Sequence, residues 1–304
     1  MLLTLWLMSV IVFAVAEIVP GDVAHTILGQ FATPEAIANL RHELGLDYPA
    51  PVLYLRWIGG FVTGQWGYSP SFDAPIASVI PGRLFNSLVL AAAALIVIVP
   101  LSIALGTIAA LRQDRLSDRL ISISGLSLMA VPEFVSGILL LTIFGIWLRL
   151  LPTTGLAGGG NPLTSPQYLI LPALSLGIVL FGYIARMMRA STIAVLDSAY
   201  VRTALLKGLP LRRVLTRHVL PNALIPTLTV VMSQIGYLVG GLVVVETLFG
   251  YPGIGSLLLS AGLHHDVPLL QDCVMIVAVI YMLGNLSADL LYAYLNPRIR
   301  YGAS

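Results

Sequence analysis

The sequence has little charge for its length. Of its 304 residues, 10% are Asp, Glu, Lys or Arg, and 58% are hydrophobic. A soluble domain usually carries about 25% charged residues, so this chain cannot cover its surface with polar groups in water. The mean hydropathy of +0.93 agrees with this. These values predict a protein for which lipid is part of the solvent.

The shortage of reactive side chains excludes several chemistries. A single cysteine, Cys273, excludes an internal disulfide, and its apolar neighbours predict a buried, inert thiol. The only lysine, Lys207, is followed by Gly208, so the chain cannot form a P-loop for ATP. The net charge of +2 is too small to indicate nucleic-acid binding.

Motifs for metal binding and catalysis are also missing. His42 and Glu43 begin a zinc-protease pattern, but Leu46 stands where its second histidine would be. Residues 264–266 read His-His-Asp, and neighbouring residues of one loop rarely chelate one ion alone. We therefore assign no catalytic residue and no metal site.

Six apolar segments are long enough to span a bilayer as helices, which takes about 20 residues. They are continuous apolar runs, which favours helices over strands. The first has neither a basic region before it nor a small-residue cleavage site, so we interpret it as a retained helix. The predicted spans are residues 1–19, 87–111, 121–148, 168–184, 223–245 and 273–295.

The positions of Arg and Lys predict the orientation of these spans. In a six-span topology, 12 of the 16 basic residues fall on one side, which is therefore predicted to be cytoplasmic and to hold both termini. The other side carries only Arg41, Arg56, Arg83 and Arg149.

Two short helices are predicted in the external segment that follows the first span. One begins at Thr33 as N-cap and stops at Gly45, and the second covers residues 51–62. The four predicted parts of the chain are a first transmembrane helix (1–19), an external segment (20–86), a five-helix core that includes a cytoplasmic loop at 190–222 (87–295), and a cytoplasmic tail (296–304).

The basic loop between the fourth and fifth spans is predicted to contain two short helices. Residues 197–207 favour a helix, Gly208 and Pro210 interrupt it, and residues 211–220 favour another. Composition alone leaves two interpretations. The loop is either a surface for a cytoplasmic partner or a segment whose arginines only fix the topology or touch anionic lipid.

Two stretches of this loop carry a family resemblance: residues 200–208, Tyr-Val-Arg-Thr-Ala-Leu-Leu-Lys-Gly, and residues 217–222, Arg-His-Val-Leu-Pro-Asn. They resemble the cytoplasmic loop of ABC importer permeases of the dipeptide, oligopeptide and nickel type. In that family a helix of the loop docks in a groove of the ATPase subunit, and Ala204 and Gly208 match its small residues. The implied coupling residues are Tyr200, Arg202, Thr203, Ala204, Lys207, Gly208, Arg217, His218 and Asn222.

The resemblance covers nearly the whole chain. It includes residues 20–22, the turn from Glu246 to Gly255 and the ending at 296–301, while Ala199 and Asn296 depart from acidic positions of the family. It implies an all-α polytopic membrane protein with six transmembrane helices in the type I ABC importer permease fold, with an external helical segment between helices 1 and 2.

The resemblance also implies a function. The chain would be a permease subunit of an ATP-driven, binding-protein-dependent importer in a bacterial or archaeal cytoplasmic membrane, and would form half of a path for peptides or a related small solute. Its partners would be a second permease, two ATPase subunits that hold ATP and magnesium, and an external solute-binding protein. The chain itself would bind no cofactor. The alternatives are a secondary transporter driven by an ion gradient, a membrane enzyme and a membrane scaffold.

Polar groups inside apolar spans are candidates for the translocation path, because each is costly in lipid unless it has a partner. Glu133 follows Pro132, where a kink is predicted. Hydrogen bonds that hold the helices together are the alternative role for these groups. The candidates are Glu133, Gln234, Asn285 and Asp289.

Overall fold

The computed structural model describes residues 2–18, 33–43, 47–156 and 161–295, which are mostly helical. The expected stop at Gly45 and the motifs at 20–22 and 296–301 lie outside the described residues. The helices are α1 (Leu2–Ile18), α2 (Pro34–Glu43), α3 (Ala50–Thr63), α4 (Ile76–Leu111), α5 (Leu116–Met129), α6 (Glu133–Leu140, continued by a π-helical segment Leu141–Trp147), α7 (Gln167–Leu196), α8 (Ala199–Leu206), α9 (Leu211–Val214, continued by a π-helical segment Leu215–Val219), α10 (Leu220–Phe249), α11 (Ile254–Leu263) and α12 (Val267–Leu295).

The two short helices predicted after the first span are confirmed as α2 and α3. Thr33 caps α2, since its Oγ1 accepts a hydrogen bond from the Ala36 amide at 3.3 Å. The aromatic side chains of α3 pack on α1, where Tyr54 meets Phe13 edge-on with ring centroids 5.5 Å apart. The Trp57 indole donates to Asp272 of α12 at 3.1 Å, so α3 is held by two other helices.

A two-stranded hairpin follows α3, and the sequence did not predict it. Strands β1 (Tyr68–Ser69) and β2 (Ala74–Pro75) pair antiparallel, and the turn between them places Asp73 in the left-handed region with φ of 48°. The Tyr68 hydroxyl donates to Asp73, and this bond raises the pKa of the phenol. Strands this short carry no periodicity that a sequence pattern could reveal.

Within the described ranges, four helical segments are long and apolar enough to cross a bilayer: Ile76–Leu111, Gln167–Leu196, Leu211–Phe249 and Val267–Leu290. They contain the second, fourth and fifth predicted spans and most of the sixth, and they begin earlier or end later than predicted. The helix α7 runs through Arg186 and Arg189 to Leu196, because arginine favours a helix even where the apolar run has ended.

The third predicted span is broken. Instead of one kinked helix over 121–148, α5 and α6 meet at an angle of 110° around Ala130 to Pro132. Pro132 has no amide hydrogen to continue the helix, and it stands at the N-cap of α6. By length the described residues therefore hold four spans, or five if the bent pair is one. A sixth requires the 17-residue α1, so the count of six stays a prediction.

The helix α7 forms the centre of the bundle. Helices α4, α5, α6 and α10 all pack on it, and most of its side chains are buried. Glycines bring the neighbours close, since a Cβ at Gly106 of α4 would lie 2.5 Å from the carbonyl oxygen of Ala185 in α7. A second apolar cluster joins the start of α4 to α11 and α12, and Cys273 is buried in it as predicted.

Candidate functional site

The loop 198–222 folds as a compact unit directly after α7. Its two predicted helices are confirmed as α8 and α9, and α9 continues through a π-helical turn into α10. Their buried side chains form a small apolar cluster of their own, made of Val201, Ala204, Val214 and Val219. The loop is therefore packed around its own apolar cluster, and its two ends continue into α7 and α10.

Gly208 ends α8 in the left-handed conformation, with φ of 75°. The Gly208 amide donates to the Leu205 carbonyl at 2.9 Å and the Leu209 amide to the Ala204 carbonyl at 3.3 Å, which is the Schellman pattern of helix termination. A Cβ built on Gly208 would meet nothing within 4 Å. The glycine is thus required by the backbone conformation of the turn.

The structure places the two matched small residues differently, since Gly208 is exposed and Ala204 is buried. Ala204 is 7% exposed and faces the cluster inside the loop, so it cannot present a flat surface outward. The outward face of α8 carries Leu205 and Leu206 instead, and Leu206 is 88% exposed. Sequence reasoning overlooked this pair, although two leucines directly before Lys207 and Gly208 in a basic loop are a signal of exposed apolar surface.

The remaining loop residues of the predicted site lie mainly on the surface. Arg217 and His218 occupy the π-helical turn, and the Asn222 side chain donates through Nδ2 to the His218 carbonyl at 2.7 Å. The π turn precedes Pro221, which has no amide hydrogen for the regular helical bond. The exposed members are Tyr200, Arg202, Thr203, Lys207, Gly208, Arg217 and Asn222, and His218 is half-buried.

An ion pair that the sequence did not predict joins α7 to the start of α5 near this loop. Arg189 donates to both oxygens of Asp118 at 2.5 and 2.6 Å, and Asp118 is 3% exposed. The Asp114 amide and the Ser122 hydroxyl complete the ring of donors around the carboxylate. This bidentate contact between two planar groups ties the start of α5 to α7.

Glu133 is held at the first position of α6. Its carbonyl oxygen accepts hydrogen bonds from the hydroxyls of Ser136 at 2.8 Å and Ser175 of α7 at 2.9 Å. Its carboxylate lies over Gly241 of α10, where a Cβ would be 3.1 Å from Oε1, and beside the hydroxyl of Tyr237. The residue thus lies where three helices meet.

The other three predicted path residues do not join it. Among the described residues, no hydrogen bond links any two of Glu133, Gln234, Asn285 and Asp289, so the structure does not gather the four into one site. The Gln234 Nε2 atom is buried and has no hydrogen-bond partner in the described part of the chain. Asn285 is half-buried and Asp289 exposed on α12.

At the opposite end of the bundle, Glu246 caps α11 from the end of α10. Its Oε2 accepts the amides of Gly255 at 2.8 Å and Ser256 at 3.1 Å, and its Oε1 accepts the Ser87 hydroxyl at 2.5 Å. The Ser87 oxygen in turn accepts the Ile254 amide at 2.8 Å. Three free amides at the start of α11 are therefore bound by side chains of α4 and α10.

The turn between α10 and α11 is held by the same two helices. Gly250 closes α10 with φ of 60°, and the buried Tyr251 hydroxyl donates to the Asn86 carbonyl at 2.9 Å. Burial raises the pKa of Tyr251, so the phenol stays a donor. The Asn86 side chain donates to the Pro252 carbonyl at 2.8 Å.

The residues 264–266 do not act as one cluster. Asp266 is buried and accepts the Ser69 hydroxyl at 2.5 Å and the Ser71 amide at 3.1 Å. It joins the hairpin to the start of α12, while His264 lies exposed and bonds within α11. The Asp266 carboxylate is thus used by hydrogen bonds that hold the fold.

Comparison with known proteins places this geometry in a family. Residues 102–301 match the binding-protein-dependent transport system inner membrane component, and residues 1–103 match its N-terminal region. A probable peptide ABC transporter permease protein of Sinorhizobium fredii is 35% identical over 297 residues, 97% of this chain and 95% of that protein. A glutathione transport system permease protein of Escherichia coli K12 is 38% identical over 301 residues, 98% of this chain and 95% of that protein.

These matches confirm the family and the fold class that the motifs of the loop predicted. The family is one of transport subunits that span the membrane, and its ATPase activity resides in separate subunits. The chain therefore belongs to the family of binding-protein-dependent transport system inner membrane components.

Proposed function

We propose that this chain forms half of the translocation path of an ATP-driven importer for peptides or a related small solute. Two relatives named for peptide and glutathione transport, at 35% and 38% identity over nearly the full chain, support a peptide-like solute. Each relative's solute carries both amide and charged groups, so the path would have to offer polar contacts within an apolar bundle.

The proposed assembly contains a second, similar permease, two ATPase subunits and an external solute-binding protein. ATP and magnesium bind to the ATPase subunits, because this chain lacks a P-loop lysine. Both termini lie in the cytoplasm, as the distribution of Arg and Lys favours. The loop 198–222 then faces the ATPase subunits.

The coupling role is inferred from one observation, the exposed leucines of this loop. Leu205, Leu206 and Leu211 face outward beside Arg202 and Lys207, and they are not needed for the apolar cluster inside the loop. Large apolar side chains that remain exposed on a well-packed, basic unit mark a protein interface. A groove in an ATPase subunit would bury them.

The contacts of the loop support a route by which such a contact would move the path. The loop has an apolar cluster of its own that holds α8 and α9 together, and its ends continue into α7 and α10. Arg189 and Asp118 carry a displacement of α7 to α5. Two of the three helices that meet at Glu133, α7 and α10, are thus attached to the loop, so closure of the ATPase subunits would change the gap between this chain and the second permease.

The test replaces Leu206 by Glu in the complete importer and measures ATPase subunits that copurify with the permeases. Because a buried charge would face an apolar groove, we expect a loss of about tenfold or more, and a smaller loss for Leu206→Ala. Leu263→Glu is the matched control, since Leu263 is 69% exposed at the opposite end of the bundle. Full copurification and unchanged uptake with Leu206→Glu would remove the coupling role.

A separate experiment tests the alternative that the chain is a secondary transporter. Proteoliposomes that contain the two permeases without ATPase subunits should take up no solute when an ion gradient is applied. Uptake under those conditions would favour transport driven by the gradient and contradict the proposed function.

A further inference from the structure

A cavity, here called the Arg186 cavity, opens between α4, α5 and α7 beside the Asp118–Arg189 pair. Its volume is about 250 Å³, and Arg186 and Arg189 both line it. The rest of its wall is mostly apolar and includes Ala109 of α4 and Leu126 of α5. Three helices therefore shape an apolar recess next to a pair of arginines.

Arg186 is the charge of this cavity that the fold does not use. The other polar side chains of the wall both bind Asp118: Ser122 donates to it at 3.1 Å, and Arg189 holds it in the bidentate pair. Arg186 is exposed, and among the described residues its side chain has neither an ion pair nor a hydrogen bond. Its guanidinium donors are therefore available to a ligand.

The helix ends around the cavity keep an excess of positive charge. Arg112 directly follows α4 and Arg119 lies in the first turn of α5, and both are exposed. The acidic side chains of this turn are Asp114 and Asp118, and Asp118 is already bound by Arg189. An anion at the cavity would thus be attracted by the surrounding charge as well as by Arg186.

The position of Arg186 along its helix matches a membrane surface. At 1.5 Å per residue, Arg186 lies about 28 Å beyond Gln167, the first residue of α7. The hydrocarbon core of a bilayer is about 30 Å thick. Beside the cavity, the outward face of α5 carries the exposed apolar side chains of Leu120, Ile123 and Leu126. A free guanidinium at this depth, next to apolar surface, fits the level at which a phospholipid changes from headgroup to acyl chain.

We propose that the Arg186 cavity binds an anionic phospholipid of the membrane, with the phosphate at Arg186 and part of an acyl chain along the apolar wall. The planar fork of a guanidinium fits the oxygens of a phosphate group, and basic recesses between transmembrane helices are suited to anionic headgroups. The apolar wall favours a lipid over a free phosphate ion, which has no surface to bury there. This inference goes beyond the proposed function and needs only that α4, α5 and α7 lie in the membrane.

The first experiment reads occupancy of the cavity itself. Ala190 is exposed and lines the cavity, so Ala190→Cys is introduced in the complete importer, where the native Cys273 is buried. The importer is purified in detergent with its lipid removed, and the rate of reaction with N-ethylmaleimide is measured by mass on the permease chain alone. We expect phosphatidylglycerol to protect the thiol at concentrations about fivefold lower than phosphatidylethanolamine.

Two charge variants decide whether Arg186 causes this preference. Arg186→Gln, added to Ala190→Cys, should remove the difference between the two lipids. Arg149→Gln is the matched control, because it removes an exposed arginine at the opposite end of the bundle, and it should leave the difference unchanged. Equal protection by both lipids, or an unchanged preference with Arg186→Gln, overturns the inference.

Two other occupants have their own signatures in the same measurement. Glycerol phosphate, which has a phosphate but no acyl chain, should not protect the thiol at the concentrations at which phosphatidylglycerol does. Protection by glycerol phosphate would show a phosphate site without a lipid. A thiol that does not react even without lipid would show that the second permease covers the cavity. Either result contradicts the inference and leaves the proposed function intact, because no transport is measured.

The second experiment separates lipid binding from a structural role of Arg186. Phosphatidylglycerol should raise the thermal unfolding midpoint of the wild-type importer more than phosphatidylethanolamine does, because a ligand of the folded state stabilises it. This difference should vanish in Arg186→Gln and also in Ala190→Phe, which fills the cavity but keeps the arginine. A structural role alone would lower the midpoint of Arg186→Gln without lipid and leave its response to phosphatidylglycerol intact. A full response in Ala190→Phe would show that charge at the surface, and not the cavity, attracts the lipid, and it would overturn the inference.

Discussion

At the scale of single residues, the contacts of Glu246 explain why the turn between α10 and α11 has its sequence motif. The family resemblance marks Glu246, Gly253 and Gly255 together, and the structure gives the reason. The carboxylate caps α11 across the turn, and a side chain on Gly253 would overlap it. A side chain on Gly255 would strike the backbone of α10 at Val243. The glycines are small so that the cap can reach the amides.

This gives a stability prediction for Glu246→Gln. The amide side chain can accept only on one atom and turns a donor toward other donors, so at least one buried amide or hydroxyl loses its partner. We expect the free energy of unfolding to fall by about 2–4 kcal/mol, measured by thermal unfolding in detergent. Glu35→Gln on the exposed surface of α2 is the control and should change stability by less than about 0.5 kcal/mol. Equal midpoints for the two variants would refute the capping role.

Residue identities alone could not show which side chains face each other. The importance of the loop 198–222 followed from its residues, yet the inward position of Ala204 follows only from packing against Val201 and Val214. Likewise, Arg189 looked like one of many arginines that set the topology. Its bond to Asp118 joins residues 71 apart, and no local pattern reports such a contact.

At the scale of helices, close packing of α4 on α7 depends on small residues. Gly106 allows the backbone of Ala185 to approach, and Gly177 leaves room for the Ile98 side chain. Helix existence was predictable from apolar length, because 20 apolar residues in lipid have few other options. The helix ends were not, since α4 and α7 continue into residues that the apolar run does not include.

Replacing either of two glycines of α4 by alanine should change stability in opposite directions. Gly106→Ala places a Cβ 2.5 Å from the Ala185 oxygen and 2.9 Å from the Met188 Cβ, so the two helices must separate. We expect a loss of about 1–3 kcal/mol in stability. Gly82→Ala meets nothing within 4 Å and should gain up to about 1 kcal/mol from helix propensity. Thermal unfolding of both variants in one detergent measures the difference, and a gain for Gly106→Ala would contradict the packing.

At the scale of the whole molecule, the two ends of the bundle differ in construction. One end carries the loop 198–222 and the Asp118–Arg189 pair, and it is rich in arginine. The other end carries α3, the hairpin and α11, which Asp266, Asp272 and Glu246 tie to the spans. The charge distribution could predict which end faces the cytoplasm, but the buried carboxylates of the other end depend on tertiary contacts.

The orientation of the whole molecule can be tested with introduced cysteines, because the native thiol of Cys273 is buried. Cys273 is shielded in the cluster between α4, α11 and α12, so an introduced cysteine dominates labelling by a maleimide that cannot cross membranes. Gln65→Cys lies in the exposed turn before the hairpin, and Lys207→Cys lies on the exposed face of the loop 198–222. Because most Arg and Lys should remain inside, we expect intact spheroplasts to label Gln65→Cys and to label Lys207→Cys only after the membrane is opened. Labelling of Lys207→Cys in intact spheroplasts would place the loop outside, and it would separate the loop from any ATPase subunit in the cytoplasm.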